Sequence, residues 1–218
     1  MTSSPLARLA LAALLTALLP VAPGCRSTSF DTAPDLLAVE RDPDALAAAL
    51  ADANAAFATE PDADVAAERP ELAGHQSPPV AVLACADSRA APEWVFEQRP
   101  GRLFVVRIAG NVADTHAIAS LEYAVAKLDT RLIVVLGHSG CGAVGAAASG
   151  KDPGTGALRT LVRDIQPAVA AHANHAAGDA LCAAARDDNV RLALLSLTTH
   201  SDVLGLAEIE GRLRVLGA

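Results

Sequence analysis

The sequence predicts an α/β fold with a central, mostly parallel β-sheet flanked by helices. Three short, continuous apolar runs occupy residues 80–84, 103–106 and 132–136, as expected for strands that are buried on both faces. Helix-patterned segments alternate with these runs, and strands that alternate with helices form parallel sheets with right-handed crossovers. Ligands of such sheets bind beyond the carboxyl ends of the strands, so functional residues are expected there.

The predicted helices differ in character along the chain. The first spans 43–58, because Asp42 is a good N-cap and alanine and leucine follow in bulk. The charged stretch 60–70 is expected to be a loop. Between the second and third strands, apolar residues at helical spacing predict a helix over 114–127, and a short helix of small residues is predicted over 143–148.

Composition limits the classes of function. The chain has 218 residues, of which 52% are hydrophobic and 19% are charged, so it can bury a core. Four cysteines are too few for a disulfide scaffold. A net charge of -8, with only four Phe, one Trp and one Tyr, argues against a surface that binds nucleic acid.

The N-terminus has the pattern of a bacterial signal peptide. Arg8 precedes an apolar run of eleven residues, 9–19, which suits a signal peptide and falls short of the roughly 20 residues of a spanning helix. The sequence Ala-Pro-Gly-Cys at 22–25 resembles a lipobox, in which Cys25 is lipidated. An ordinary cleaved signal and an uncleaved apolar helix are the alternatives.

The chain is therefore expected to have three parts. Residues 1–24 form a signal peptide of the lipoprotein type, residues 25–42 a tether and residues 43–218 the catalytic domain. The signal predicts export, so the protein is expected to be periplasmic or anchored to a membrane as a lipoprotein.

Metal-ligating side chains follow two of the predicted strands. Cys85 comes directly after the first strand, and His138 and Cys141 follow the third. Two thiolates and one imidazole are a protein ligand set for catalytic zinc with a fourth position open. Because parallel strands end at one edge of the sheet, these side chains can converge, and Asp87 and Arg89 lie beside the first of them. The sequence predicts one zinc ion per chain.

Four segments resemble the β-class carbonic anhydrases. They are 85–89 (CADSR), 107–111 (RIAGN), 120–124 (SLEYA) and 138–142 (HSGCG). The resemblance runs from 76 to 145, and more loosely to the C-terminus. It implies the fold of that family and a lyase activity, the zinc-dependent reversible hydration of carbon dioxide to bicarbonate and a proton.

The resemblance also implies a role for each polar residue. Cys85, His138 and Cys141 would bind zinc, whose charge lowers the pKa of a water ligand to near neutrality. Arg89 would hold Asp87 away from the metal. Asp87 would then accept a hydrogen bond from the attacking nucleophile and orient it.

Substrate contacts are implied in the same way. Five positions match those that contact substrate or line an apolar pocket for carbon dioxide: Gln76, Phe104, Ala109, Tyr123 and Gly142. Part of that pocket comes from a second chain, so a homodimer or a higher homo-oligomer is implied. For Gln76, Phe104 and Tyr123, an ordinary loop or core position is the alternative. A membrane is the other expected partner, through a lipidated Cys25.

Several alternatives stay open. The scaffold could instead hydrolyse carbon disulfide or carbonyl sulfide, or it could be a non-catalytic binding module stabilised by zinc. Val82 stands where a bicarbonate-regulated subgroup of the family carries Trp, so an open site is expected rather than one closed by Asp87. His172, His175 and His200 are candidates either for proton transfer or for the surface.

Overall fold

The structure, a computed structural model, describes residues 36–39, 42–59 and 63–218. The predicted signal peptide, 1–24, lies outside the described residues, as does most of the predicted tether, 25–42. None of the helices in the described part combines the length and the apolar character needed to span a membrane.

The chain divides into two compact units, residues 1–75 and residues 76–218. In the described part, the first unit holds helices α1 (Pro43–Thr59) and α2 (Ala63–Gly74). The second unit holds the four strands and the other helices that the structure describes. A start of the catalytic domain at residue 43 stays a prediction.

Helix α1 begins as the sequence predicts, and α2 corrects an expectation. Asp42 Oδ2 accepts a hydrogen bond from the Ala45 N–H at 3.0 Å, which caps α1. The loop predicted over 60–70 is wrong, because α2 begins at Ala63 and includes Pro70. The charge of this segment does not oppose a helix, since its alanine and glutamate residues are strong helix formers.

The sheet is parallel throughout its described strands. Its strands are β1 (Val80–Ala84), β2 (Leu103–Arg107), β3 (Leu132–Leu136) and β4 (Arg214–Gly217), in the order β2-β1-β3-β4. The first three confirm the predicted strands. The fourth was not predicted, because a four-residue edge strand that is only partly buried lacks the continuous apolar run of a central strand.

Helices connect and cover the strands. The helix predicted over 114–127 is confirmed, and Asp114 caps it by accepting from the Ala117 N–H at 2.8 Å. The helix predicted over 143–148 is confirmed as well. The described helical elements of the second unit are α3 (Pro92–Val95), a 3₁₀ turn (Ala109–Asn111), α4 (Thr115–Leu128), α5 (Gly142–Ala148), α6 (Gly156–Ala170), α7 (Gly178–Thr199) and α8 (Asp202–Ile209).

The core lies on both sides of the sheet, and one part of it surrounds the site. Alternate residues of β1 and β3 pack in one cluster against α4, α7 and α8, where Leu121, Leu197 and Leu204 are fully buried. A separate cluster joins Cys85 and Cys141 to buried residues of α5, α6 and α7. These three helices therefore form an apolar wall behind the carboxyl ends of the strands.

Candidate metal centre and active site

The carboxyl ends of β1 and β3 bring the predicted metal ligands together. The two strands pair in register as far as Ala84 and Leu136, so the residues after them emerge side by side. Cys85 follows β1 directly, and His138 lies shortly beyond β3. Cys141 is the N-cap residue of α5. The predicted convergence of these three side chains is confirmed.

The three side chains form a group that can hold a metal ion. Within the part of the chain that the structure describes, the donor atoms of Cys85, His138 and Cys141 all lie within 4.8 Å of one another. The two sulfur atoms are 3.9 Å apart. Two thiolates bound to one tetrahedral zinc ion, each about 2.3 Å from it, would be about 3.8 Å apart. The sulfur spacing and the donor set both fit zinc.

His138 offers one ring nitrogen to this group and uses the other to fix its orientation. Its Nδ1 lies 2.9 Å from the carbonyl oxygen of Ser139, so Nδ1 carries the proton and donates it. Its Nε2 is buried and has no hydrogen-bond partner among the described residues. Buried polar atoms are rarely left without a partner, and metal-binding histidines are usually oriented through their other nitrogen. A metal at Nε2 accounts for both features.

The two cysteines have unlike affinities for a proton in the metal-free chain. A hydrogen bond between the two sulfur atoms lowers the pKa of Cys85, against the opposing effect of burial. The same hydrogen bond, together with burial, raises the pKa of Cys141. The Gly110 N–H also donates to Cys85 Sγ, at 3.2 Å. Metal binding must therefore displace the proton of Cys141, since thiolates are the ligands.

A carboxylate lies beside the metal group and is held in place by hydrogen bonds from one arginine. Asp87 Oδ2 is 4.0 Å from His138 Nε2. Arg89 donates from Nε to Asp87 Oδ1 at 2.9 Å and from Nη2 to Oδ2 at 2.7 Å, and its backbone N–H reaches Oδ1 at 3.0 Å. Arg89 Nη2 also donates to the Gly140 carbonyl at 3.1 Å. These hydrogen bonds hold the pKa of Asp87 well below its usual range, so its carboxylate stays ionised near neutral pH.

Arg107 holds the loop that carries Cys85 and Asp87, a role that sequence reasoning missed. Its Nε donates to the Cys85 carbonyl at 3.1 Å, and its Nη2 donates to the Asp87 carbonyl at 2.5 Å. The end of β2 thus fixes the backbone of the loop after β1. Arg107 begins the segment 107–111, but a contact between strand ends leaves no local signal in the sequence.

A second missed contact comes from the far end of the chain. The side chain of Asn189, on α7, is buried and donates from Nδ2 to the Gly110 carbonyl at 2.6 Å. Gly110 is the residue whose N–H contacts Cys85 Sγ. Asn189 and Gly110 are separated by 79 positions in the sequence, so no motif spacing relates them.

Two predicted substrate residues are adjacent in the chain to residues that contact or form the metal group. Ala109 is partly buried and directly precedes Gly110 in the 3₁₀ turn. Gly142 follows Cys141 and is exposed, and a Cβ atom there would meet no atom within 4 Å. Both positions are therefore next in the chain to a residue that contacts or belongs to the metal group.

The other three predicted substrate residues lie on separate elements, outside the metal group. Gln76 is exposed and precedes the amino end of β1, whereas Cys85 follows its carboxyl end, and the strand between them is about 16 Å long. Phe104 pairs with Ala81, near the start of β1, and its ring centroid lies 6.5 Å from that of Tyr123. The structure thus groups Phe104 with Tyr123 and places neither in the buried cluster around the cysteines.

The third cysteine of the described chain and the three candidate histidines are not members of the metal group. Cys182 is partly buried on α7 and is not a member of the group. His172 Nε2 lies 2.7 Å from Asp188 Oδ2, which ties the end of α6 to α7. For His175 and His200 the prediction of surface positions or proton transfer stays open.

Comparison with known proteins identifies the family. A solved structure described as a tetrameric β-carbonic anhydrase, from Sordaria macrospora, matches with a TM-score of 0.64 and 28% identity over 80% of this chain and 88% of that one. A family model described as carbonic anhydrase matches residues 80–218. The chain belongs to the β-class carbonic anhydrases. The matched residues include Cys85, His138, Cys141, Asp87 and Arg89.

Two carbonic anhydrase sequences show how much of the chain is shared. Carbonic anhydrase 2 of Mycobacterium tuberculosis is 47% identical over 104 residues, which cover 46% of this chain and 50% of that protein. The carbonic anhydrase of Pseudomonas aeruginosa is 40% identical over 157 residues, which cover 67% of this chain and 70% of that protein. The chain therefore spans half the length of the first relative and more of the second.

Proposed function

We propose that this chain catalyses the reversible hydration of carbon dioxide to bicarbonate and a proton. The observation that carries the proposal is the Cys85–His138–Cys141 group, with its bare Nε2, beside a carboxylate that an arginine holds ionised. Membership of the carbonic anhydrase family supports the same reaction. No feature of the described residues favours carbon disulfide, carbonyl sulfide or a purely structural role.

The three ligands prepare a site for one zinc ion. When bound, zinc supplies a Lewis acid that makes a water molecule nucleophilic near neutral pH. The chain contributes two sulfur donors and one imidazole nitrogen, and it keeps the sulfur atoms in an apolar wall of α5, α6 and α7. The Gly110 N–H stabilises negative charge on Cys85 Sγ.

Asp87 and Arg89 would orient the nucleophile. Asp87 is ionised because Arg89 donates to both of its oxygens, so near neutral pH the carboxylate can only accept hydrogen bonds. Its Oδ2 is 4.0 Å from His138 Nε2 and therefore lies next to the metal group without belonging to it. A hydrogen bond that Asp87 accepts from the attacking nucleophile would orient the lone pair of that nucleophile toward carbon dioxide. The ion pair with Arg89 supports the open site that Val82 predicts.

Stopped-flow hydration of carbon dioxide by the zinc-loaded chain tests this proposal. Asp87→Asn should retain zinc and lower turnover by about 10²–10³, since it removes a positioned charge at the reacting centre. Asp152→Asn is the matched control, because Arg159 donates to both oxygens of Asp152 in the same way, at 2.9 and 3.0 Å, away from the metal group. Wild-type turnover in Asp87→Asn would contradict the proposal, as would turnover confined to carbon disulfide or carbonyl sulfide.

We propose further that the active unit contains at least two copies of this chain. Gln76 precedes the amino end of β1, and Phe104 lies near the start of β2 in contact with Tyr123, which supports a role for these residues at the metal group of a second copy. Strand β2 is an apolar edge strand whose residues are only partly buried, and Tyr123 is 51% exposed. Uncovered edges of this kind favour pairing with another chain. The tetrameric assembly named for the Sordaria macrospora protein is consistent with such pairing.

Complementation between two inactive variants tests the shared site. A chain with Cys85→Ser lacks the metal ligand, and a chain with Phe104→Ala lacks the pocket residue. A mixed dimer would contain one site with an intact metal group and an intact Phe104, so mixing should restore part of the activity. A monomeric wild type with full turnover, or a mixture that stays inactive after subunit exchange, would contradict the proposal.

We also propose that the protein is exported and lipidated at Cys25. The apolar run 9–19 after Arg8 supports this proposal, and residues 25–42 would then tether the catalytic domain. Several acyl chains anchor a protein firmly, whereas one binds weakly. Fractionation should find the wild type in membranes and Cys25→Ala outside them, with Cys182→Ala behaving as wild type. Recovery of all three with intact N-termini in the cytosol would refute export.

A further inference from the structure

Asn189 is a buried polar side chain that the proposed reaction does not use. It lies on α7 and is 4% exposed. Its Nδ2 donates to the Gly110 carbonyl at 2.6 Å, in a contact that is itself buried. Asp188, its neighbour, accepts from His172 at 2.7 Å, so this turn of α7 is held against the end of α6. A buried donor fixed in this way imposes its position on the group that it contacts.

The Gly110 carbonyl belongs to a peptide unit that is held at both of its ends. On one side the oxygen accepts from Asn189, and on the other the Asn111 N–H donates to the Ile108 carbonyl at 2.8 Å. Ile108 in turn donates to the Ala84 carbonyl, at the end of β1, at 3.0 Å. Gly110 has a φ of 68°, a left-handed conformation that glycine adopts without strain, so the contacts of its neighbours and of Asn189 decide how the turn is oriented.

The other face of Gly110 contacts a metal ligand. Its N–H donates to Cys85 Sγ at 3.2 Å, and the sulfur is buried. The direction of this N–H depends on the conformation of the turn, which the carbonyl contact with Asn189 constrains. A hydrogen bond to a ligating thiolate orients the ligand and tunes its charge. Asn189 and Cys85 are thus joined through a single residue.

We infer that Asn189 is a positioning residue for the metal centre, which holds the Gly110 N–H on the sulfur of Cys85 and so sets the affinity for zinc. The inference rests on the proposed zinc site and deepens it. Loss of the Asn189 donor leaves the Gly110 carbonyl buried without a partner, so the turn relaxes and its N–H moves off the sulfur.

Zinc affinity of the full chain, measured by competition with a chelator, tests this inference. Asn189→Leu, which removes the donor at similar size, should weaken zinc binding by about 10–100-fold, the usual effect of losing an outer-shell contact. The cobalt-substituted variant should also show a shifted thiolate-to-metal absorption band, which a purely structural role would not change.

Thr130→Val is the matched control. Thr130 is 1% exposed, and its hydroxyl donates to the Pro78 carbonyl at 2.8 Å, so the control also removes a buried hydrogen bond from a side chain to a carbonyl. It lies at the amino ends of the strands, away from the ligands, and should leave zinc affinity and the cobalt spectrum unchanged.

The outcomes separate this inference from the proposed function. A wild-type chain that binds no zinc overturns both. A wild type that binds zinc, with Asn189→Leu equal to it in affinity and cobalt spectrum, overturns the inference alone. If Asn189→Leu does not fold, Asn189→Asp decides, because it replaces the donor at the same shape, and an unchanged affinity there refutes the inference.

Discussion

Substitution of Gly110 by alanine should lower both the unfolding free energy and the affinity for zinc, whereas the same change at Gly150 should cause only a smaller loss of unfolding free energy. Both glycines have left-handed backbone, with φ of +68° at Gly110 and +64° at Gly150. An alanine in that conformation costs about 1–2 kcal/mol. A Cβ at Gly110 would also lie 2.7 Å from Ile165 Cδ1, whereas a Cβ at Gly150 would meet nothing within 4 Å.

The packing difference sets the expected magnitudes. Ile165 is fully buried, so its methyl group can move only by disturbing the packed core, which costs about 1–3 kcal/mol. Gly110→Ala should therefore lose about 2–5 kcal/mol of unfolding free energy, and Gly150→Ala about 1–2 kcal/mol. A displaced turn also moves the N–H of residue 110 off Cys85. Of the two variants, only Gly110→Ala should therefore weaken zinc binding, by about tenfold or more.

Urea unfolding at saturating zinc measures the stabilities, and chelator competition measures the affinities. The difference between the two variants isolates the packing of the new Cβ against Ile165 and Ala143, since the backbone cost is common to both. Equal unfolding free energies for the two variants would refute the packing around Gly110. Equal zinc affinities would refute the role of its N–H.

Three further substitutions test separate parts of the structure. Cys85→Ser should lose most of the zinc on dialysis while Cys182→Ser keeps one ion per chain, and metal analysis that finds equal content would exclude Cys85 as a ligand. Arg107→Ala frees two carbonyls of the metal-binding loop and should weaken zinc affinity, which an unchanged chelator titration would contradict. Hydrogen bonds from Arg191, and to a lesser extent from His172, lower the pKa of Asp188. The ionised Asp188 therefore stabilises the fold above the ordinary carboxyl pKa of about 3.9, and this stabilisation is lost as the pH falls below that value. The unfolding midpoints of wild type and Asp188→Asn should differ most near neutral pH and converge in acid, and a constant difference would refute the pairing.

The part of the fold and site that the sequence predicts is the part encoded locally. Continuous apolar runs in the sequence identify the central strands. Cys85 follows one such run directly and His138 follows another after one residue, so parallel pairing of the two strands predicts that they converge. The helix cap at Asp42 is likewise a local signal. Asp87 and Arg89 are close in sequence, and their ion pair needs only one tight turn.

What the sequence does not predict depends on contacts between distant segments. Arg107 reaches the Cys85 loop because β2 and β1 end together, and Asn189 reaches Gly110 across 79 positions. Neither contact has a spacing that a motif could record. Strand β4 is short and lies at an edge, so its pattern resembles that of a loop. The roles of Gln76 and Tyr123 at a site shared with a second chain stay predictions.

X-ray absorption at the zinc edge of the purified chain tests the central claim most directly. The structure predicts one zinc ion per chain with two sulfur ligands and one imidazole nitrogen, from Cys85, Cys141 and His138. A zinc ion surrounded only by nitrogen and oxygen, or a chain that holds no zinc after loading, would contradict that assignment.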